Sequence, residues 1–527
     1  MFSKNYSKKY IKLLIVASLV AFQLTASAQD STLVIPFKQP TPPRITIKLP
    51  NGRAADIPKG PFVASWESIK DNYTIPEWFQ DAKFGIFMHF GVYTVAAHAS
   101  EWYPRHMYSN GGVQKWHEEH FGKVDSFGYK DLIPLFKAES FNATEWAELF
   151  KKSGAKYIVP TAEHQDGFAM YDSKLTKWNA KNMGPHKDII GELSEAVRKQ
   201  GLKFGVSNHR MENWDFMYPM LKVNTDLFDP NYADFYGPPQ LPPQRKSPKA
   251  GEEVIEDQSD APQSKAFLEE WLVRCQELVD KYKPDIFWFD NGVNSRKLDS
   301  IKLRFAAYYY NRALQWGKPV SISTKSDAYL YGSIRDFERQ GRAPKTLTDY
   351  IWEVDDPIGE KFGYVEGMKL QNSAGIIRKL IDNVSHNGNY LLNISPKSDG
   401  TIPVEQQKIL LDIGKWLQTN GDAIYGTRAW KISGEDNPNK YQPKQPSYRF
   451  TTKGNTLYAI ALGWPEKQAI ITSLAKDSVN GKVENVTLLG YNGKLDFTQD
   501  NEALKIELPS TIGQVAYSFK IEGLKLK

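Results

Sequence analysis

Short apolar runs in this 527-residue chain repeatedly stop at ionisable or aromatic side chains. The set is His89, Glu101 with Trp102, Glu163 with His164, Asn208 with His209, Trp288, Asp290, Lys325, Glu338 and Glu353. Two hydrolytic chemistries suit carboxylates mixed with histidines. One is glycoside hydrolysis by a carboxylate nucleophile and a carboxylic acid. The other is metal-assisted hydrolysis on histidine ligands. The His-x-His pair that metal-dependent barrels carry after their first strand is absent, and no His-Glu-x-x-His segment occurs. Tryptophans beside the acids favour sugar, because the C–H faces of a carbohydrate stack on rings. The 14 Trp and 27 Tyr of the chain point the same way. A barrel dehydratase or isomerase stays open on this inventory alone.

The segment "KPDIFWFDNG" poses the positioning question most sharply. Four apolar residues, Ile286 to Phe289, end on Asp290, and Asn291-Gly292 follow. An Asp-Asn-Gly sequence suits a plain turn. A carboxylate at the mouth of a barrel would read the same way. The repeat of the pattern decides between them. "KFGIFMHFG", "AKYIVPTAEHQDGF", "LKFGVSNHRMENW", "PVSISTKSD", "TDYIWEV" and "GNYLLNISPKSDG" are further apolar runs that end in polar residues. Amphipathic helical patterns fall between them: "NATEWAELFKKSG", with Asn142 as N-cap and Gly154 as stop, "KDIIGELSEAVRKQG", "SKAFLEEWLVRCQELVDKY", "SIKLRFAAYYYNRALQWG" and "AGIIRKLIDNVSHNG". Continuous apolar strands alternating with helices specify a parallel sheet covered on both faces. Seven or eight such units predict an α/β fold, a (β/α)8-like barrel with its active residues at the C-terminal strand ends.

After residue 430 the period changes to two. "YRFTTKGNTLYAIALGW", "KVENVTLLGYNGKLDFTQ", "ALKIELP" and "VAYSFKIEGLKL" predict a C-terminal antiparallel β-sandwich over 431–527. The catalytic barrel is assigned to 65–430 and an irregular, Pro-rich lead-in to 29–64. Residues 1–28 read as a signal peptide. Lys4, Lys8, Lys9 and Lys12 precede the apolar "LLIVASLVAF", and Ala26-Ser27-Ala28 has the small-x-small form of a cleavage site. The expectation is export to the periplasm or the extracellular space, with no membrane span in the mature chain. Removing that segment takes four lysines from a net charge of +6, which leaves +2. A nearly neutral chain without a basic run argues against nucleic acid as partner. The single cysteine, Cys275, excludes an intramolecular disulfide, and it sits in a helical pattern as a buried thiol.

"WFQDAKFGIFMHFGVYTV", "EWY", "GAKYIVPTAEHQDGF", "PDIFWFDNG", "YIWEVDDPIGEKFGYV" and "NGNYLLNISPKSDGTIP" together resemble the family 29 glycoside hydrolases, the α-L-fucosidases, over about residues 65–430. The resemblance implies a retaining mechanism, no metal or other cofactor, and a fucosylated oligosaccharide or glycoconjugate as substrate. It assigns the nucleophile to Asp290, after Trp288, and contacts to fucose hydroxyls to His89, Glu101, Trp102 and His164. The chain departs from the family in three places. Gln165 stands where a second His is usual, "VSNHRMENW" replaces a Tyr-Tyr-Ser end, and "STKSD" replaces an Asn and an Arg. These positions touch sugar, so they bear on aglycone preference and activity level. For the acid/base, Glu338 in "DFERQGR" resembles the family's Glu-Arg-Gly form, and Glu353 in "WEVDD" is the rival. Arg339 beside Glu338 would favour its ionised form unless it points away. Two other readings use the same barrel: a glycan-binding protein with little or no activity, and another exo-glycosidase such as a galactosidase.

Overall fold

The structure, a computed structural model, describes residues 49, 53–217, 219, 223–237, 263–436, 445–510 and 513–526. The leader segment 1–28 and most of the lead-in lie outside these residues. Among the described residues no helix is long and apolar enough to cross a membrane.

Eight strands close into a parallel barrel in simple order: β1 (Phe84–Met88), β2 (Tyr157–Glu163), β3 (Lys203–Asn208), β4 (Ile286–Phe289), β5 (Ser321–Lys325), β6 (Ser333–Asp336), β7 (Trp352–Pro357) and β8 (Gly388–Ile394). β8 pairs back to β1, which removes both edges. Helices α1 (Ala143–Lys152), α2 (Ile189–Lys199), α3 (Lys265–Tyr282), α4 (Asp299–Gln315), α5 (Ser373–Ser385) and α6 (Val404–Asn420) accompany the strands. Their ends follow local chemistry. Asn142 accepts from the N–H groups of Thr144 and Glu145 at the start of α1, and Asp188 accepts from Gly191 N–H at the start of α2. Cys275 is buried on α3.

The sequence runs recover seven of the strands and miss β6. It has four residues, Ser-Ile-Arg-Asp, and alternates half-buried with buried positions where its neighbours are buried throughout. No α-helix separates it from β5 or from β7. Both signals that mark the other units are therefore missing.

The barrel interior is filled from below. The short helix Glu77–Ala82 plugs the N-terminal end, where Phe79 packs with Tyr157, Val159, Ile286, Ile334 and Leu391. Asn389 Nδ2 donates to Phe79 O and ties the plug to β8. Gly85 makes room for the Tyr157 ring, because a Cβ there would lie 2.5 Å from it. Above this layer sit Phe87 and Trp288, with ring centroids 4.8 Å apart, and Trp288 forms part of the floor of the pocket at the C-terminal end. Fully burying aromatic rings of this size is worth roughly 2–3 kcal/mol each, which makes the floor rigid.

Two antiparallel sheets follow the barrel. β9 (Arg428–Glu435), β10 (Tyr448–Lys453), β11 (Thr456–Ala461), β13 (Gly481–Leu488) and β16 (Tyr517–Leu524) form one, in the order β13-β16-β11-β10-β9. β12 (Gln468–Ile471), β14 (Phe497–Gln499) and β15 (Leu504–Glu507) form the other. Phe450, Leu457 and Phe519 of the first share a core with Ile471, Leu504 and Ile506 of the second. This is the expected sandwich. Arg449 fastens it to the barrel, with Nε 2.7 Å from Asp382 Oδ1 on α5.

Candidate active site

The parallel register brings the chemistry together. Asn208 pairs with Phe289, and Phe289 pairs with Thr324. One residue further on, His209, Asp290 and Lys325 stand side by side at the C-terminal ends of β3, β4 and β5. His209 Nδ1 is 2.8 Å from Asp290 Oδ2, and Lys325 Nζ is 2.5 Å from Asp290 Oδ1. Gln165 Nε2 also donates to Oδ2, at 3.1 Å. Burial alone would push the Asp290 carboxyl up. Lys325 and then His209 outweigh it and hold Asp290 well below the usual carboxylate range. It is therefore ionised at neutral pH. The same ion pair overcomes the burial of Lys325 and holds its ammonium well above the usual lysine range.

A cavity of about 110 Å3 opens over these groups, lined by His89, Glu101, Trp102, His164, Trp288, Asp290 and Glu338 together with His209, Asn291, Lys325, Asp355 and Phe362. Every site residue expected from the sequence is there except Glu353. That carboxyl is wholly buried on β7 and accepts from Tyr157 O–H at 2.5 Å. It points into the barrel two residues before Asp355, which is the β7 acid that reaches the pocket. Burial, helped by the Asp355 charge, pushes Glu353 up to about 8. The residue is a neutral barrel-filling acid one layer below the site.

Glu338 follows β6. Its Oε2 is 3.6 Å from Lys325 Nζ, and its side chain is 22% exposed. Arg339 does point away: its guanidinium lies 4.9 Å from the Phe362 ring centroid. The partner is Arg342, with Nη1 3.1 Å from Glu338 Oε2. Arg339 has φ of +62°, a conformation that costs a non-glycine residue of order 1 kcal/mol or more. Its N–H is held by Asp355 O at 2.7 Å.

The remaining polar groups line the cavity. His89 Nδ1 is 2.7 Å from Asn393 Oδ1, whose amide is oriented by donation from Nδ2 to Phe362 O. Oδ1 only accepts, so Nδ1 carries the ring proton and Nε2 is left as an acceptor. Burial, followed by the neighbouring His209, lowers the His89 pKa to about 3, so the ring is neutral. His164 is depressed for the same reasons, and its Nδ1 has no hydrogen-bond partner among the described residues. Glu101 Oε2 accepts from the N–H groups of Phe362 and Gly363, which holds the Phe362 ring over the pocket.

His209, Lys325 and Asp355 also line the pocket, though the sequence reading gave them no role, and Gln165, read there as a sugar-contacting position, reaches Asp290 instead. His209 and Lys325 carried a signal, since both end apolar runs. Their contacts to Asp290 depend on pairings between strands far apart in the chain. Gln165 Nε2 also lies 2.5 Å from Glu212 Oε2, and burial followed by the Asp290 charge pushes Glu212 up to about 8. Glu163, by contrast, is structural. It is buried against Arg210 at 2.8 Å and Arg274 at 3.2 Å, and Glu270 completes a balanced quartet with both arginines.

A metal reading has one point of support, because nitrogens of His89, His164 and His209 lie within 4.8 Å of one another. The donor set does not fit. His209 is committed at both nitrogens, to Asp290 and, at 2.5 Å, to Ser207 Oγ. His89 Nδ1 is committed to Asn393. A larger hollow of about 860 Å3 involves Lys130, Lys137, Trp178, His186 and Tyr232. Its acids are Asp131, which accepts from Gly128 N–H and Lys130, and the exposed Glu139, so it offers no carboxyl pair.

Comparison with known proteins agrees with this geometry. Residues 52–422 match the family described as Alpha-L-fucosidase, and residues 442–522 match Alpha-L-fucosidase C-terminal domain. The chain is 31% identical over 465 residues to tissue alpha-L-fucosidase of Rattus norvegicus, covering 85% of this chain and 88% of that protein. It is 30% identical over 485 residues to the Homo sapiens tissue enzyme, covering 88% and 92%. The Thermotoga maritima alpha-fucosidase solved in complex with fucose superposes with a TM-score of 0.68 at 29% identity, covering 87% of this chain and all of that one.

Proposed function

This chain belongs to the alpha-L-fucosidase family, and from that premise we propose that it is an exported, retaining α-L-fucosidase that works by double displacement on fucosylated glycans. Asp290 is the nucleophile and Glu338 the acid/base. In the first step Asp290 attacks the anomeric carbon while Glu338 gives its proton to the leaving oxygen. In the second, Glu338 takes a proton from water, which attacks the same carbon and frees Asp290.

The observation that carries this reading is the position of Lys325. Its Nζ is 2.5 Å from Asp290 Oδ1 and 3.6 Å from Glu338 Oε2. Those two oxygens are therefore at most about 6 Å apart, short of the roughly 6.5–9.5 Å that an inverting enzyme leaves for water. Supporting features surround the pair. His89, His164 and Glu101 offer polar contacts, and the rings of Trp288, Trp102 and Phe362 offer apolar faces. Such faces suit fucose, which carries a methyl at C6. A cavity of about 110 Å3 suits one terminal sugar ring. The basic n-region, apolar core and Ala26-Ser27-Ala28 of the leader support export to the periplasm or the extracellular space.

Proton NMR of a fresh digest tests the reading. The expected first product is α-L-fucose, which then mutarotates. Initial β-L-fucose would establish inversion, and no release from any α-L-fucoside would favour a binding role.

A further inference from the structure

The fifth strand of this barrel ends on a lysine that the double-displacement mechanism does not by itself require. Lys325 is almost wholly buried, with its ammonium set between the two proposed catalytic carboxyls. The two oxygens of Asp290 are not equivalent. Oδ2 accepts from Gln165 and faces His209. Oδ1 is held by the ammonium at 2.5 Å. Asp355 on β7, with Asp336 on β6 behind it, also faces the ammonium, and Arg342 approaches Glu338 from the rim. Glu212, reached through Gln165, is a further carboxyl near Asp290.

We propose that Lys325 is the shared counter-ion of the two half-reactions, facing Asp290 before the first step and Glu338 after it. The proposal rests on the double-displacement reading above. The charges balance at each stage. At rest Asp290 is an anion, Glu338 holds a proton and Lys325 is a cation. In the first step the bond from the anomeric carbon to the aglycone oxygen breaks and a bond to the Asp290 carboxylate forms. The Glu338 proton leaves on the aglycone. Asp290 is now a neutral ester and Glu338 an anion. The negative charge has moved from one neighbour of the ammonium to the other, and the cation need only tilt to follow it. Without Lys325 the base of the second step would have to form opposite Asp355 with only the exposed Arg342 to offset it. Lys325 is on this account a positioning residue that matters most for the second step.

Pre-steady-state kinetics of Lys325→Met and Lys325→Gln on an aryl fucoside with a good leaving group test the proposal, with Lys325→Arg as the charge-retaining control. The first step needs little protonation of such a substrate. Both variants are expected to show a burst of aryl alcohol followed by steady turnover reduced about 100-fold, the scale of a lost general base. Azide needs no base, so it should restore turnover and give α-L-fucosyl azide. Lys325→Arg keeps the cation and should retain more of the second-step rate than Lys325→Met or Lys325→Gln. Lys325→Gln keeps a polar side chain and decides the matter if Lys325→Met fails to fold. Loss of the burst in proportion to steady turnover would overturn the proposal. So would β-L-fucosyl azide as product, because azide would then be replacing Asp290. Initial β-L-fucose from the parent enzyme would overturn the double-displacement reading itself, and the proposal with it.

Discussion

Replacing Glu353 by Gln separates the two acids that the sequence leaves in competition, and the structure sets the size of the effect. Glu353 is buried, and its pKa is pushed from an ordinary 4.5 to about 8. The folded protein therefore keeps a proton that the unfolded chain gives up. Stability from this group is whole below pH 4.5 and is lost as pH rises towards the folded value. Each pH unit in that window is worth about 1.4 kcal/mol, so the loss between pH 5 and pH 8 is about 4 kcal/mol. The Gln side chain has no such slope. Its amide oxygen can accept from Tyr157 as the acid does. At an unfolding entropy of roughly 1 kcal/mol per kelvin for a chain of this length, the variant should gain about 4 °C on the parent between those pH values. Thermal unfolding by circular dichroism at pH 5 and pH 8 measures this. Activity on a natural fucosylated oligosaccharide should stay within a few-fold. If the variant loses activity on the oligosaccharide but keeps it on an aryl fucoside, Glu353 is the acid/base and the assignment to Glu338 is wrong. If its melting point tracks the parent at both pH values, the buried acid is not protonated as argued.

Other outcomes follow from the same geometry. Glu338→Ala should lose roughly 100- to 10,000-fold on natural glycans and much less in the first step with an activated aryl fucoside. Azide should restore its turnover as α-L-fucosyl azide, identified by NMR. Glu163→Gln leaves Arg210 and Arg274 with one buried anion in place of two, and should cost about 3 kcal/mol, read as a melting point roughly 3 °C lower. An unchanged melting point would mean that the quartet contributes little. Prolonged chelation should leave full activity, since His209 is committed to Asp290 and Ser207. Activity lost to chelation and regained with a divalent ion would revive the metal reading.

Much of the barrel was legible because its strands are buried on both faces and read as unbroken apolar runs. β6 was not, because Arg335 in its middle is only half-buried and no helix flanks it. The strand-end rule located His89, His164 and Asp290, since a parallel barrel delivers such positions to one rim. It could not separate Glu338 from Glu353. That distinction turns on Glu353 pointing into the barrel one layer below Asp355, and on where the loop after β6 travels. Nor could it pair Lys325 and His209 with Asp290. The pairing comes from the register of β3, β4 and β5, and local sequence does not encode register between distant strands. Glu163 shows the opposite failure. It ends an apolar run like the others, yet two arginines, one of them on α3, make it structural.

The central claim is that Asp290 forms a covalent bond to fucose. A 2-deoxy-2-fluoro fucosyl donor with a good leaving group should slow both steps, and the second enough to trap that intermediate. Peptide mass spectrometry then locates the label. The account predicts one fluorofucosyl group per chain, on Asp290 in the peptide containing "IFWFDNG". A label on Glu338, Asp355 or Glu101 would contradict it.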